Sequence, residues 1–175
     1  VRMMNAGMGP GEIAEAIALP RSLDAFLDVH GYYGTVKHNV RAVYQGYLGW
    51  FDAHPSNLDP LPPVEAARRY VELAGGIDRT VAAAQAAFDR GEYRWAAELL
   101  KHAVHAEPGS QPARALLAAT FEQLGYAAES APWRNFYLTG AYELREGPPR
   151  EGIAPAALLD MLQHTPIERF LEAMA

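Results

Sequence analysis

The sequence contains no cysteine. That excludes a disulfide framework, thiolate-bound zinc and a cysteine nucleophile. It leaves the compartment open, because such a chain folds equally well in oxidising and reducing surroundings. Long apolar runs are also missing, and none approaches the ~20 residues of a membrane span. Positive charge is scarce: 15 Lys and Arg stand against 21 Asp and Glu, a formal net charge of -6. General nucleic-acid binding relies on basic patches that release phosphate counterions, so nucleic acid is not an expected partner. Apolar side chains, by contrast, are plentiful: 50% of the 175 residues are hydrophobic, and nine are tyrosines. A chain of this length buries roughly 70% of its unfolded surface, so a core forms without staples. Val1 opens the sequence inside what reads as a helix, as expected of a piece of something longer.

No stretch alternates at period two, and nearly every periodic segment reads as helix. The expected fold is all-α, a helical bundle. A short helix carries Ile13 and Ile17 and is closed by Pro20, after which Ser22 reads as the cap of a second. Thr35 reads as the cap of the clearest amphipathic helix, with Val36, Val40, Val43, Tyr44, Tyr47, Leu48 and Phe51 on one stripe. A second stripe of small residues, Ala42, Gly46, Gly49 and Ala53, is expected to admit a closely packed neighbour. The connector HPSNLDPLPP leads to a helix that Pro63 starts and Gly75-Gly76 stops. Asp78 reads as the cap of the next, which ends at Gly91; others run from Tyr93 to Pro108, Gln111 to Gly125 and Ala128 to Arg145. REGPPREGIAP reads as a linker, Pro155 as the start of a short helix, and Thr165-Pro166-Ile167-Glu168 as a capping box.

A repeat is visible in this middle stretch. Gly91 and Gly125 lie 34 residues apart, and AAAQAAFDRG aligns with ALLAATFEQLG so that Ala84 matches Ala118 and Ala87 matches Phe121. The pattern predicts tetratricopeptide-like helix hairpins. Two units fall short of the about three that a solenoid needs, so the hairpins are expected to be embedded in a larger bundle.

The six histidines form no HxH or HExxH motif. His102 and His105 share a helix face that reads as solvated, and His54 sits in an exposed connector. The segment GYYGTVKHN is different. Two glycines bracket two tyrosines ahead of a helix start, and Lys37, His38, Asn39 and Arg41 follow within two turns. Such a helix N-terminus suits an anion such as sulfate or phosphate; the competing reading is an aromatic turn packed on the core.

The run YYGTVKHNVRAVYQGYLGWFDAHPSNLDPLPP, followed by RYVELAGG, GEYRWAAELL, FEQLGY and ESAPWRNFYLTGAYELR, closely resembles the alkyl sulfatases of the metallo-β-lactamase superfamily. The resemblance covers roughly Met3 to Arg145. It implies that residues 1–30 end a catalytic lactamase-like region. Residues 31–145 would then form the dimerisation domain, and 146–175 a linker and the start of a sterol-carrier-like domain. The implied reaction is hydrolysis of alkyl sulfate esters to alcohol and sulfate, with zinc bound by the full-length enzyme. The HxHxDH segment is absent here, so no cofactor is expected in this chain and no activity from it alone. The implied partners are a second copy in a homodimer, the upstream catalytic domain, the downstream sterol-carrier-like domain and the alkyl sulfate. The resemblance makes His38 the candidate catalytic residue, as sulfate binder or proton donor to the leaving oxygen, and Tyr33 and Asn39 the candidate substrate-binding donors. The alternative is a short tetratricopeptide-like protein-protein interaction module. That reading expects a peptide groove, whereas the sulfatase reading expects apolar surface left where a missing domain docks.

Overall fold

A computed structural model describes residues 1–149, 159 and 163–174. Every regular element among the described residues is helical: α1 (Arg2–Asn5), α2 (Pro10–Ala16), α3 (Arg21–Asp24), α4 (Val36–Leu48), α5 (Pro63–Leu73), α6 (Ile77–Asp89), α7 (Tyr93–Ala106), α8 (Gln111–Ala127), α9 (Ala131–Glu146) and α10 (Ile167–Met174). Short 3₁₀ turns at Leu27–Val29 and Pro55–Asn57 interrupt the connectors. The chain divides into two compact units, Val1–Arg145 and Glu146–Ala175. In the second, α10 begins directly after Pro166, and the expected helix at Pro155 lies outside the described residues.

The core of the first unit lies between α6, α7 and α8, where Ala84, Leu100, Ala103, Ala113 and Leu117 are buried together. Small side chains dominate it. Ala84, Ala87, Ala96, Ala103, Ala113 and Ala118 are all fully buried, and alanine gives helix propensity while letting backbones approach closely. The aligned repeat positions Ala84 and Ala118 are thus both interior. Helix α9 packs on α8 through the same device. A Cβ on Gly125 would lie 3.0 Å from Leu138 Cδ2, and one on Gly140 would lie 3.2 Å from Phe121 Cδ2. Arg114 ties the far end of α9 down by donating from Nε and Nη2 to the Leu144 carbonyl. That places a cation on the exposed carbonyls of a helix C-terminus.

Several boundaries differ from those the sequence suggests. Ser22 lies inside α3, which follows Pro20 and has no side-chain cap. Asp78 lies in the first turn of α6, and Gly76, at a φ of 101°, occupies the cap position. Helix α9 starts at Ala131, three residues later than expected, because Ser130 turns the chain there. The largest difference is at α4, which stops at Leu48 because Gly49 adopts a φ of 79°; Ala53, further along, has a φ of 63°. Gly49 and Ala53 therefore do not continue a small helical face with Ala42 and Gly46, and nothing lies close to where a Cβ on Gly46 would be. The apolar stripe of α4 is only partly covered: Tyr44 is buried and Val36, Val40 and Phe51 are half-buried, while Val43, Tyr47 and Leu48 are exposed.

Candidate functional site

The N-terminal halves of α4 and α9 meet and form one open cleft of about 580 Å³. Each start is fixed by a hydroxyl cap. Thr35 Oγ1 accepts from the His38 amide at 2.9 Å, and Ser130 Oγ accepts from the Trp133 amide at 3.4 Å. Ser130 is 1% exposed, and its hydroxyl donates to the Tyr33 carbonyl. The Ala131 amide donates to the Tyr32 carbonyl at 2.8 Å. The tyrosine loop ahead of α4 is therefore stitched to the start of α9, across 97 positions of sequence.

The two bracketing glycines are there for space. A Cβ on Gly31 would sit 3.0 Å from the Gly34 carbonyl, and one on Gly34 would sit 3.1 Å from Asn39 Oδ1. A further tie holds the loop from outside. His30 places Nδ1 2.8 Å from Glu129 Oε1 and Nε2 2.9 Å from the Asp24 carbonyl. Both ring nitrogens thus face acceptors, which raises the His30 pKa above 6.5; the Asp24 carbonyl contributes most, then the Glu129 carboxylate.

Tyr33, His38 and Asn39, the three residues singled out in the sequence, all line this cleft. Arg41 lines it too, one helical turn beyond His38 and with no ion pair among the described residues. The opposite wall comes from α9: Pro132, Trp133, Phe136 and Tyr137. Tyr33 and Phe136 are each 83% exposed, so the cleft is a half-site open on one side. Trp133 Nε1 donates to His38 Nδ1 at 3.3 Å, with the rings edge-on at 64°. Two helix N-termini, a cation and several neutral donors beside an apolar wall suit an anionic head carrying an apolar tail. The α9 wall escaped the sequence reading. WRNFYLTGA is distinctive as a string, but no periodicity says that Trp133 meets a residue 95 positions earlier.

His54, His102 and His105 do not join this site. His54 Nδ1 accepts from the Ser56 amide and caps the turn at Pro55. His102 packs against Tyr70, ring centroids 4.7 Å apart and tilted by 43°, and burial lowers its pKa. His105 binds the Lys101 carbonyl of its own helix through Nδ1. His102 and His105 thus have separate partners. Among the described residues, no group of three or more His, Asp or Glu side chains could hold a metal ion.

Residues 9–147 match the family described as alkyl sulfatase dimerisation. The chain is 50% identical over 150 residues to the alkyl/aryl-sulfatase BDS1 of Saccharomyces cerevisiae, a match covering 86% of the chain and 23% of that protein. It is 44% identical over 175 residues to a linear primary-alkylsulfatase of Pseudomonas sp., covering 100% of the chain and 26% of that protein. Among solved structures it is similar to the stereoselective inverting sec-alkylsulfatase Pisa1 of Pseudomonas sp., with a TM-score of 0.84 and 50% identity, over 87% of this chain and 24% of that one. The chain spans about a quarter of the length of these relatives.

Proposed function

The chain belongs to the alkyl sulfatase dimerisation family, and from that premise we propose that it pairs two copies of a longer alkyl sulfatase and supplies one wall of its ester-binding site. The reaction served is hydrolysis of an alkyl sulfate ester by water to an alcohol and hydrogensulfate. The observation that carries this reading is the cleft between α4 and α9. It gathers Tyr33, His38 and Asn39 at the start of α4, and lays Trp133, Phe136 and Tyr137 beside them as an apolar track. His38 meets the sulfate head, Tyr33 and Asn39 donate hydrogen bonds to its oxygens, and Arg41 balances its charge. The alkyl tail follows the α9 wall.

Residues 1–30 would continue from a catalytic region, 31–145 form the dimerisation domain, and 146–175 lead into a sterol-carrier-like domain. The zinc implied by the resemblance does not fit the described residues, which offer no ligand set. Its place would be in the catalytic region, and what this chain supplies is binding and orientation. Pairing is supported by bare apolar surface along one stretch: Val43, Tyr47, Leu48, Trp50, Leu58, Leu61 and Val64 are all exposed, more than a lone soluble domain normally leaves uncovered.

His38→Ala in the full-length protein tests the site, with dodecyl sulfate as substrate. A large loss of kcat/KM is expected, and near-normal turnover would sink the role given to His38. Light scattering behind size exclusion tests the pairing, and a strictly monomeric protein at high concentration would count against it.

A further inference from the structure

Three consecutive residues at the start of α9 each grip one residue of the tyrosine loop. Glu129 holds the His30 ring, the Ser130 hydroxyl donates to the Tyr33 carbonyl, and the Ala131 amide donates to the Tyr32 carbonyl. Only the first of these grips depends on a charge. His30 sets Nδ1 2.8 Å from Glu129 Oε1 and Nε2 2.9 Å from the Asp24 carbonyl. A carboxylate and a carbonyl both accept, so both contacts are hydrogen bonds only when the ring carries two protons. A neutral ring keeps one of them and turns a lone pair on the other acceptor. The ring is held from its face as well, stacked on Tyr32 with centroids 5.9 Å apart. The charged groups around it are Asp24 of α3 and Glu129. Lys37 of α4 lines the same small cavity but is engaged by Glu15, and Arg134 of α9 turns to the Ala128 carbonyl. The Asp24 carbonyl and the Glu129 carboxylate accordingly raise the pKa of the ring above 6.5.

This clamp acts on the backbone that carries Tyr33. The Tyr32 amide donates to the His30 carbonyl at 3.0 Å, and a Cβ on Gly31 would lie 3.6 Å from Glu129 Oε2. Tyr33 is 83% exposed, so its backbone aims it and little else does. We infer that His30 is a positioning residue for the ester site: as an imidazolium clamped between Glu129 and the Asp24 carbonyl, it holds the tyrosine loop against the start of α9 so that Tyr33 meets the sulfate head, and it slackens the loop when it loses its proton. The consequence for the ester rests on the proposed site, while the clamp itself stands on the geometry alone.

Two readouts on the full-length protein test this, both well below its melting temperature. The first is KM for dodecyl sulfate across pH in Glu129→Gln and in His30→Gln, whose amides stay neutral. In mildly acidic buffer each variant should raise KM about two- to fivefold, the worth of a partly exposed ion pair, with kcat little changed. The gap should close as pH rises through the raised value for His30, because the unmodified protein then loses the same tie. Combining the two substitutions should add nothing further. The second readout is amide hydrogen exchange of the segment 31–34, compared at one mildly acidic pH, which should be faster in both variants. No difference in exchange overturns the clamp. A KM gap that is absent, or constant with pH, while His38→Ala is impaired overturns the positioning role. Faster exchange without a KM gap, together with normal turnover in His38→Ala, overturns instead the ester site on which that role rests.

Discussion

His30 joins Glu129 across 99 positions of sequence, and its other ring nitrogen lies 2.9 Å from the Asp24 carbonyl. A ring with acceptors on both sides is best served when both nitrogens carry protons. The folded pKa is raised above the ordinary 6.5, so the charged form stabilises the fold. That stabilisation is complete below pH 6.5 and is lost as pH rises through the raised folded value. Melting curves of the chain and of Glu129→Gln should therefore differ most in mildly acidic buffer and converge in alkaline buffer. Because the pair is partly exposed, added salt should shrink the gap. A difference that does not vary with pH would refute the assignment.

Glu15 behaves in the opposite sense. It binds Lys37 Nζ at 2.7 Å and Arg94 Nη2 at 2.9 Å, and so clasps α2 to α4 and α7. Those two bonds, Lys37 first, pull its pKa from 4.5 to about 2. A lowered folded pKa contributes stability above pH 4.5 that is lost as pH falls toward 2. Acid titration followed by circular dichroism should show a shallower loss of stability over that range in Glu15→Gln than in the unmodified chain. Parallel curves would show that the clasp contributes nothing.

Ser130→Ala should cost about 1–3 kcal/mol in chemical denaturation, since a buried cap is removed and the Tyr33 carbonyl loses its donor. The same change should weaken ester binding in the full-length protein, because the loop carrying Tyr33 and the start of α9 both hang on that hydroxyl. KM should rise more than kcat falls. An unchanged KM with reduced stability would place Ser130 in the scaffold alone.

Much of the helical order was legible from punctuation. Pro63, Gly75, Gly76 and Gly91 mark ends because their backbones cannot, or need not, stay helical, and Thr35 marks a start because its hydroxyl caps one. The apolar stripe of α4 misled in one respect. Periodicity records which residues share a face and is silent on whether anything covers it. Gly49 was read as a small residue within the helix, whereas its left-handed backbone ends it, so the helix was drawn too long. In the site, the first wall was readable because Tyr33, His38 and Asn39 sit within a few residues of one cap. The second wall was not, since its place depends on how α8 and α9 pack through Gly125 and Gly140.

The seam between the tyrosine loop and the start of α9 sets a limit on dissection. Its two edges lie 95 to 99 positions apart, with the alanine-lined hairpins of α5 to α8 between them. Those hairpins separate the edges in sequence, and only the folded first unit brings His38 and Trp133 to bonding range. A graft that moves the tyrosine loop alone would carry the letters of the site and none of its geometry. The portable unit is the whole of Val1–Arg145, because Glu15 and Asp24 hold the seam from before it and Gly140 and Leu144 anchor α9 beyond it. Any hybrid enzyme built from this chain would have to exchange that stretch whole.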